Sequence, residues 1–564
     1  MSRETSSDHS TIVPGLGSRS ASPGFSSTSV PKEGTARAAA PSPAYDPHPP
    51  SRRSGGGASR SHIGHQHHRH SDDESPLLNH GPHHNPDLGH GSEVGPSAGF
   101  WSCTINLANT ILGTGMLAMP GALATVGILM GSFMIVFSAM ASGLGLYFLT
   151  RSASRTIGRS ASFFACSKLT YPSAAVWFDL AIAIKCFGVG ISYLIIIGDL
   201  MPEVVRSLSM IAVTSYGGDG SGEMDPTLWF LLDRRFWITV FMAVIAPLAF
   251  LKRLDSLKAT SALALGAVVY LVFIVVFFYS FPTAPLPPMD KLRLVRLTPD
   301  FFTTLPIFVF AFTCHQNIFS VYNELSDNGQ SMLNRIITTS IGSAAVIYHI
   351  VAILGYMTFG NSVGSNIILM YNAGMLVTIG RIAIVILVMF SFPLQAHPCR
   401  ACLDKVLYAI GAFWKSTTLG QRLHGNGAYN SLMSDSDTIA PSSSTDDMAS
   451  QQTIDEPLAQ LDAHGDPIAP PPSELKYVIM TVAIVLFSYL IAISVTELEL
   501  VLSFVGSTGS TAISFILPGL FYYKLHENER WTGRKIAAVA LSVYGALVMV
   551  ICLSANIRRV VTHH

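Results

Sequence analysis

Residues 106–122 read "NLANTILGTGMLAMPGA" and lie inside the first long apolar segment of the chain. A membrane anchor needs only about 20 mostly apolar residues. This segment also carries two asparagines, a Gly-Thr-Gly at 113–115 and Pro120. Non-helical backbone is tolerated at membrane depth only where it faces a cavity or other protein. We therefore predict that this helix is unwound near its centre and that its backbone holds a solute. The alternative is close helix packing at the glycines.

The composition indicates a membrane protein that is not an enzyme. Of 564 residues, 49% are hydrophobic and 12% are charged, whereas soluble domains average about 25% charged residues. The formal net charge is zero, so we expect no nucleic-acid partner. Most of the seven cysteines fall in apolar segments, where cysteine behaves as a small hydrophobe, and we predict neither a disulfide framework nor a metal site. Nucleotide-binding, nucleophile-elbow and zinc-protease motifs are not found, so we expect no enzyme activity and no cofactor.

Eleven apolar segments are candidates for membrane-spanning helices. They cover residues 101–124, 126–150, 174–201, 236–251, 259–281, 301–323, 335–358, 372–396, 475–496, 500–523 and 535–556. Lysine and arginine concentrate in the loops after the second, fourth, eighth and tenth segments, which the positive-inside rule places in the cytosol. The N-terminus falls on the same side, and the C-terminus falls on the opposite side. The expected fold is an all-α integral membrane protein.

Two polar tracts separate the predicted membrane helices. Residues 1–98 are rich in Ser, Pro, Gly and His, and we predict a disordered cytosolic tail. Residues 416–472 are similarly polar, and we predict a disordered cytosolic loop. Helices 1–8 are then expected within 99–415 and helices 9–11 within 473–556, followed by a short tail at 557–564.

A second apolar segment is also interrupted. "FVFAFTCHQNIFSVYNE", residues 308–324, places polar and ionisable side chains at membrane depth. Such residues are costly in lipid and mark functional paths by default. Interrupted helices at corresponding positions of two halves are typical of an inverted-repeat transporter with its site near the midplane. Helices 1 and 6 are such a pair, with five helices in each half and the eleventh left over.

The two interrupted segments, together with "GVGISYLIIIGDLMP" at residues 188–202, resemble the amino acid/auxin permease family. The similarity is greatest to fungal vacuolar amino acid transporters and animal neutral amino acid transporters, and it covers about residues 98–410 and 474–556. It implies a leucine-transporter-like fold, a 5+5 inverted repeat with one additional helix. It also implies secondary transport of amino acids across a lipid bilayer by alternating access.

The resemblance implies a substrate site at the two interruptions. The backbone N–H groups of Thr114 and Gly115 are expected to bind the substrate carboxylate, because a helix N-terminus favours an anion. The substrate ammonium is expected at carbonyl groups between Phe310 and Thr313. The expected substrate-binding residues are Asn109, Ile111, Gly113, Thr114, Gly115, Met116, Phe310 and Thr313.

The coupling ion is expected to be a proton, with sodium as the alternative. Sodium-coupled relatives place a hydroxyl group in helix 8 where this chain has Met389, although Ser391 remains. A thioether is a poor ligand for a hard cation. Histidine titrates near neutral pH, which suits an acidic compartment. The expected coupling or gating residues are Asn106, Asp179, Lys185, His315, Glu324 and Ser391, with His349 and Arg381 as further intramembrane ionisable residues. Each ionisable group has a structural alternative, a buried pair or a side chain that reaches the interface.

The cytosolic tail contains "DESPLL", residues 73–78. Asp73, Leu77 and Leu78 resemble an acidic dileucine sorting signal for vacuoles or lysosomes, and a sorting adaptor is then a candidate partner. We expect a proton-coupled transporter of neutral amino acids in such a membrane. A sodium-coupled plasma-membrane importer, and an amino acid sensor that signals through its tail, are the alternatives.

Overall fold

The computed structural model describes residues 98–215, 226–251, 258–416 and 473–563. The sorting motif at Asp73, Leu77 and Leu78 lies outside the described residues, and so does the polar loop beyond Ser416. Within these ranges the chain forms α-helices joined by short 3₁₀ and π-helical turns, and its β-structure is limited to one isolated bridge between Ala98 and Leu325. The predicted all-α fold class is confirmed.

Fifteen α-helices are present in the part of the chain that the structure describes. They are α1 Phe100–Ile111, α2 Gly115–Val126, α3 Ile128–Ala153, α4 Phe163–Thr170, α5 Ala175–Ser215, α6 Arg234–Ala249, α7 Lys258–Ser280, α8 Phe301–Ala311, α9 Ile318–Glu324, α10 Gln330–Phe359, α11 Met375–Ser416, α12 Glu474–Ser494, α13 Leu498–Val505, α14 Leu517–Leu525 and α15 Gly533–His563. Two π-helical segments, Gly506–Ser510 and Ala512–Ile516, connect α13 to α14.

Among the described residues, nine segments are long and apolar enough to cross a membrane, and the bent pair α1–α2 makes a tenth. The predicted fourth helix corresponds to α6, which has 16 residues. At 1.5 Å per residue it spans about 24 Å, less than a hydrocarbon core of about 30 Å. The count of eleven and the inverted repeat therefore stay predictions.

Both predicted interruptions are present. α1 and α2 meet at an angle of 52° across a break at Leu112–Thr114. Glycine is a poor helix former, and Gly113 lies at the centre of this break. α8 ends at Ala311, and a 3₁₀ turn at His315–Asn317 leads into α9. This second break contains neither glycine nor proline, so contacts from other helices must hold it open.

Three helices extend beyond their apolar segments. α5 and α11 contain 41 and 42 residues and pack against each other, whereas their apolar parts end near residues 201 and 396. α15 continues to His563, through most of the predicted tail at 557–564. Backbone hydrogen bonds continue a helix into water without apolar side chains, so hydrophobicity marks the membrane portion and not the helix end.

Candidate functional site

The first break opens onto a cavity of about 280 Å³ enclosed by α1, α2, α5, α7, α11 and the turn after α8. The volume is near the lower end of the range for small-molecule sites, about 300–1,000 Å³. Its polar lining consists of Asn106, Asn109, Thr110, Thr114, Tyr193, Gln316, Asn317, Ser391 and Gln395. Among the described residues, those that line it include no Asp, Glu, Lys, Arg or His.

The backbone of the first break is only partly hydrogen-bonded. The N–H groups of Leu112 and Gly113 donate to the carbonyls of Ala108 and Ile111 at 2.8 Å each. The N–H groups of Thr114 and Gly115 donate to no other group in the described ranges. Thr114 lines the cavity, and α2 begins at Gly115. The break therefore presents unpaired donors at a helix N-terminus beside the cavity, which suits a carboxylate.

Three carbonyl groups at the second break, those of Phe310, Ala311 and Phe312, accept hydrogen bonds from the protein. The hydroxyl of Ser142 on α3 donates to the Phe312 carbonyl at 2.7 Å. The Thr313 hydroxyl donates to the Val309 carbonyl at 2.8 Å, and its N–H donates to the Phe310 carbonyl at 3.0 Å. Neither Phe310 nor Thr313 lines the cavity. The expected contact of the substrate ammonium with carbonyls between Phe310 and Thr313 stays a prediction, and it requires these groups to become accessible from the cavity.

The two breaks contact each other closely. A Cβ atom on Gly115 would lie 2.9 Å from both Cα and Cβ of Ala311, so only glycine permits this approach. The Tyr348 hydroxyl of α10 lies 2.6 Å from the Ile111 carbonyl and 3.0 Å from the Ala311 carbonyl. Ile111 and Gly115 were predicted to bind substrate; neither is among the lining residues, and both take part in the contact between the breaks, which leaves the Gly115 N–H unpaired. Tyr348 was not among the predicted residues.

The turn after the second break supplies amide side chains to the cavity. The Asn317 amide donates to the Thr110 hydroxyl at 2.6 Å, and that hydroxyl donates to the Asn106 carbonyl at 3.0 Å. Both amide atoms of Gln316 are buried without a hydrogen-bond partner among the described residues. A buried unpaired amide is costly, and Gln316 lines the cavity, where a ligand would satisfy it. Sequence analysis noted this polar run but assigned no role to Gln316 or Asn317.

The opposite wall is formed by α5 and α11. Lys185 Nζ donates to Gln395 Oε1 at 3.4 Å, and Gln395 lines the cavity. The Tyr193 hydroxyl lies beside the side chains of Ser391 and Gln395. The Ser391 hydroxyl donates to the Leu387 carbonyl of its own helix at 2.7 Å. Tyr193 and Gln395 were missed because their sequence context is ordinary and only the packing of α5 on α11 brings them to the cavity.

His315 is fully buried and does not line the cavity. Its Nε2 lies 3.1 Å from the Ser142 carbonyl, which can only accept, so Nε2 carries the hydrogen. In the neutral imidazole, Nδ1 accepts from the Ser514 hydroxyl at 3.0 Å. The neutral imidazole has both nitrogens satisfied. This geometry favours a structural role for His315, as a link between α3, the second break and the π-helical segment.

The remaining predicted residues lie away from the cavity. Asp179 is 3.8 Å from Lys405 and does not pair with Lys185. Glu324 is exposed at the end of α9. Arg381 is buried and donates to the Tyr371 carbonyl at 2.9 Å and the Ser207 hydroxyl at 3.2 Å. His349 Nδ1 lies 2.9 Å from the Ala345 carbonyl. From the predicted lists, the structure brings Asn106, Asn109, Gly113, Thr114, Met116 and Ser391 together at the cavity.

Comparison with known proteins identifies the class of this chain. The family model described as "Transmembrane amino acid transporter protein" matches residues 96–558. "Vacuolar amino acid transporter 5" of Schizosaccharomyces pombe is 39% identical over 476 residues, 82% of this chain and 95% of that protein. The protein of the same name in Saccharomyces cerevisiae is 37% identical over 475 residues, 80% of this chain and 97% of that protein.

A solved structure, MhsT in complex with L-phenylalanine, aligns with a TM-score of 0.45 at 14% identity, over 81% of this chain and 96% of that one. The family match and the relatives confirm the resemblance drawn from the two interrupted segments. They also confirm the expectation of a non-enzyme, because these proteins are transporters. This chain, a multi-pass membrane protein, belongs to the transmembrane amino acid transporter protein family.

Proposed function

We propose that this protein moves neutral amino acids across a vacuolar membrane by alternating access, driven by a proton gradient. The names of its relatives, vacuolar amino acid transporters, support amino acids as the substrate and the vacuole as the location. The cavity at the first break is the observation that carries the substrate class. Its lining pairs apolar side chains with uncharged amide and hydroxyl groups, a combination that suits a neutral side chain.

The cavity offers separate partners for each end of an amino acid. The substrate carboxylate would bind the unpaired N–H groups of Thr114 and Gly115 at the start of α2. The Gln316 amide and the Asn109 side chain would bind the remaining polar groups. The apolar wall of Leu271, Ile384 and Val388 would contact the substrate side chain. A charged substrate side chain would find no opposite charge among the described lining residues, which disfavours it.

Proton coupling is preferred to sodium coupling on ligand chemistry. A sodium site built from helices 1 and 8 needs oxygen ligands, as hard cations do. Met389 carries a thioether where sodium-coupled relatives are expected to have a hydroxyl, and it does not line the cavity. Intramembrane ionisable groups are frequent components of proton paths, and Lys185 lies directly behind the cavity wall.

Uptake into liposomes tests this proposal. Purified protein would be reconstituted, and uptake of a labelled mixture of amino acids compared under an imposed pH gradient and an imposed sodium gradient. The proposal expects uptake of neutral amino acids that follows the pH gradient alone. Uptake that requires a sodium gradient would show that sodium, and not the proton, is the coupling ion. Binding without flux under either gradient would favour the sensor alternative.

Location and the sensor alternative need a cellular experiment. A fluorescent fusion of the full chain is expected at the vacuolar membrane, and a variant lacking residues 1–95 tests the cytosolic tail. A transporter keeps its flux in vacuolar vesicles when the tail is removed. Loss of vacuolar targeting in Leu77→Ala/Leu78→Ala, with flux unchanged, would assign the dileucine motif to a sorting adaptor. Plasma-membrane fluorescence of the intact chain would contradict the vacuolar assignment.

A further inference from the structure

We propose that Lys185 carries the coupled proton and that Gln395 links its protonation state to the substrate cavity. This inference rests on the proposed proton-driven transport and names the group that performs the coupling. Its basis is a buried amine, one amide contact and a cavity wall, all within the membrane-spanning part of the chain.

Lys185 is a membrane-embedded lysine without a counter-charge. It is 3% exposed on α5, and the described residues give it no salt bridge. The acidic residue one and a half turns away, Asp179, pairs with Lys405 on α11. An uncompensated ammonium is expensive in the bilayer interior, whereas the neutral amine is not. Lysine also changes protonation readily when buried, unlike arginine. The site therefore favours release of the proton once it is sealed from water.

The surroundings of Lys185 are tightly packed and carry no fixed charge. A Cβ atom on Gly509, in the first π-helical segment, would lie 2.7 Å from the Lys185 backbone nitrogen. The titratable neighbours are Cys186 on α5, and Cys314 and His315 at the second break. α11 faces the amine with the uncharged Gln395. No neighbouring carboxylate in the described ranges stabilises a permanent ammonium at this position.

Gln395 connects this amine to the cavity. As an ammonium, Lys185 donates to Gln395 Oε1 at 3.4 Å. A neutral amine has a lone pair and can accept from the Gln395 NH₂ group instead, so loss of the proton favours rotation of the amide. Gln395 lines the cavity beside Tyr193 and Ser391. Rotation exchanges an acceptor for a donor in this wall, and the cavity then differs between the two protonation states.

The transport step balances with one proton. Water on the acidic side supplies the proton, and the lone pair of the Lys185 amine takes it while the cavity is open to that side. The proton leaves to water on the other side after the cavity has changed its access. The one bond that forms and breaks is an N–H bond.

The test compares net accumulation with exchange in proteoliposomes. Lys185→Arg retains a positive charge but cannot release a proton. It is expected to lose accumulation driven by the pH gradient, down to the level of empty liposomes, and to retain exchange of labelled for unlabelled amino acid. Lys405→Arg is the matched control, because Lys405 is a partly exposed lysine on α11 away from the cavity. It is expected to keep both activities.

A second variant leaves Lys185 in place. Gln395→Glu puts a carboxylate beside the amine and holds the proton there, so accumulation driven by the pH gradient should be lost. Pyranine trapped in the liposomes reports the accompanying proton flux, which both variants should lose. Wild-type accumulation that ignores the pH gradient would refute the proposed coupling. Wild-type coupling that survives in Lys185→Arg and Gln395→Glu would refute this inference alone and leave proton-driven transport intact.

Discussion

The two broken spans look alike in the sequence and differ in the structure. Each interrupts a hydrophobic helix with polar residues. The first break leaves the N–H groups of Thr114 and Gly115 unpaired beside a cavity. At the second break the carbonyls of Phe312, Ala311 and Phe310 accept from Ser142, Tyr348 and the Thr313 N–H, and Phe310 to His315 do not line the cavity. The two interruptions therefore differ in their position relative to the cavity.

This difference assigns distinct roles to the two breaks. Under the proposed function the first provides the binding surface, because its unpaired backbone donors lie beside the cavity. The second is a scaffold that holds the first in place, through the contact of Ala311 with Gly115 and the hydroxyl of Tyr348. Only the turn that follows the second break, with Gln316 and Asn317, reaches the cavity.

The largest expected effect comes from forcing the two breaks apart. Gly115→Leu should abolish transport while the protein remains in its membrane, because even a Cβ atom would lie 2.9 Å from the Ala311 backbone. Gly342→Leu on α10 is the control, since nothing lies within 4 Å of its Cβ position. Flux of labelled amino acid into proteoliposomes measures both. A Gly115→Leu protein that transports like the wild type would show that the breaks do not need this contact.

A smaller effect is expected from the unpaired amide at the cavity. Gln316→Ala should raise KM by about five- to tenfold, the equivalent of about 1 kcal/mol for one hydrogen bond to substrate. Gln330→Ala, on α10, removes an amide that bonds Thr150 and Asn334 outside the cavity lining and should leave KM unchanged. The initial rate of uptake over a range of substrate concentrations gives KM. An unchanged KM in Gln316→Ala would remove this residue from the site.

The scaffold can be weakened without touching the cavity. Tyr348→Phe removes the hydroxyl between the carbonyls of Ile111 and Ala311 and leaves the buried Ala311 carbonyl without a donor, at a cost of about 1–3 kcal/mol in the free energy of unfolding. Tyr371→Phe is the matched control, because the Tyr371 hydroxyl is buried without a hydrogen-bond partner in the described ranges. Thermal unfolding in detergent should show a lower midpoint for Tyr348→Phe only. Equal midpoints would mean that the hydroxyl contributes nothing to holding the breaks.

The smallest expected effect concerns pH and separates His315 from Lys185. His315→Gln should leave the pH profile of transport unchanged, because the neutral imidazole already has both nitrogens bonded and lies outside the cavity lining. Initial rates between about pH 5 and pH 8 cover the range in which an ordinary histidine titrates. If transport by His315→Gln loses its pH dependence, His315 belongs to the proton-coupling path. The second break would then not be a scaffold alone.

Sequence reasoning located both breaks because glycine, proline and polar residues stand out against an apolar background. It identified Asn109, Gly113 and Thr114, which line the cavity, because these residues lie in the break or within one turn before it. It missed Tyr193 and Gln395 because each lies in a long helix with no local interruption, and only the packing of α5 on α11 unites them. Periodicity within one helix carries no information about which distant helix will face it.

The same limit explains the ionisable residues. The sequence marked Asp179, Lys185 and His315 as equivalent candidates, since all are titratable groups at membrane depth. They differ in the groups that they contact. Asp179 pairs with Lys405, His315 is hydrogen-bonded to Ser142 and Ser514, and Lys185 donates to an amide of the cavity wall. These partners are distant along the chain. Ser142 lies 173 residues from His315, Gln395 lies 210 residues from Lys185, and Lys405 lies 226 residues from Asp179.

The most direct test of the division between the two breaks is an experimental structure of the protein with a bound neutral amino acid. The account predicts the substrate carboxylate within hydrogen-bond distance of the Thr114 and Gly115 N–H groups, and the Gln316 amide in contact with the substrate. The Ser142 and Tyr348 hydroxyls should remain on the carbonyls of the second break. A substrate bound to the carbonyls between Phe310 and Thr313, with those hydroxyls displaced, would contradict it.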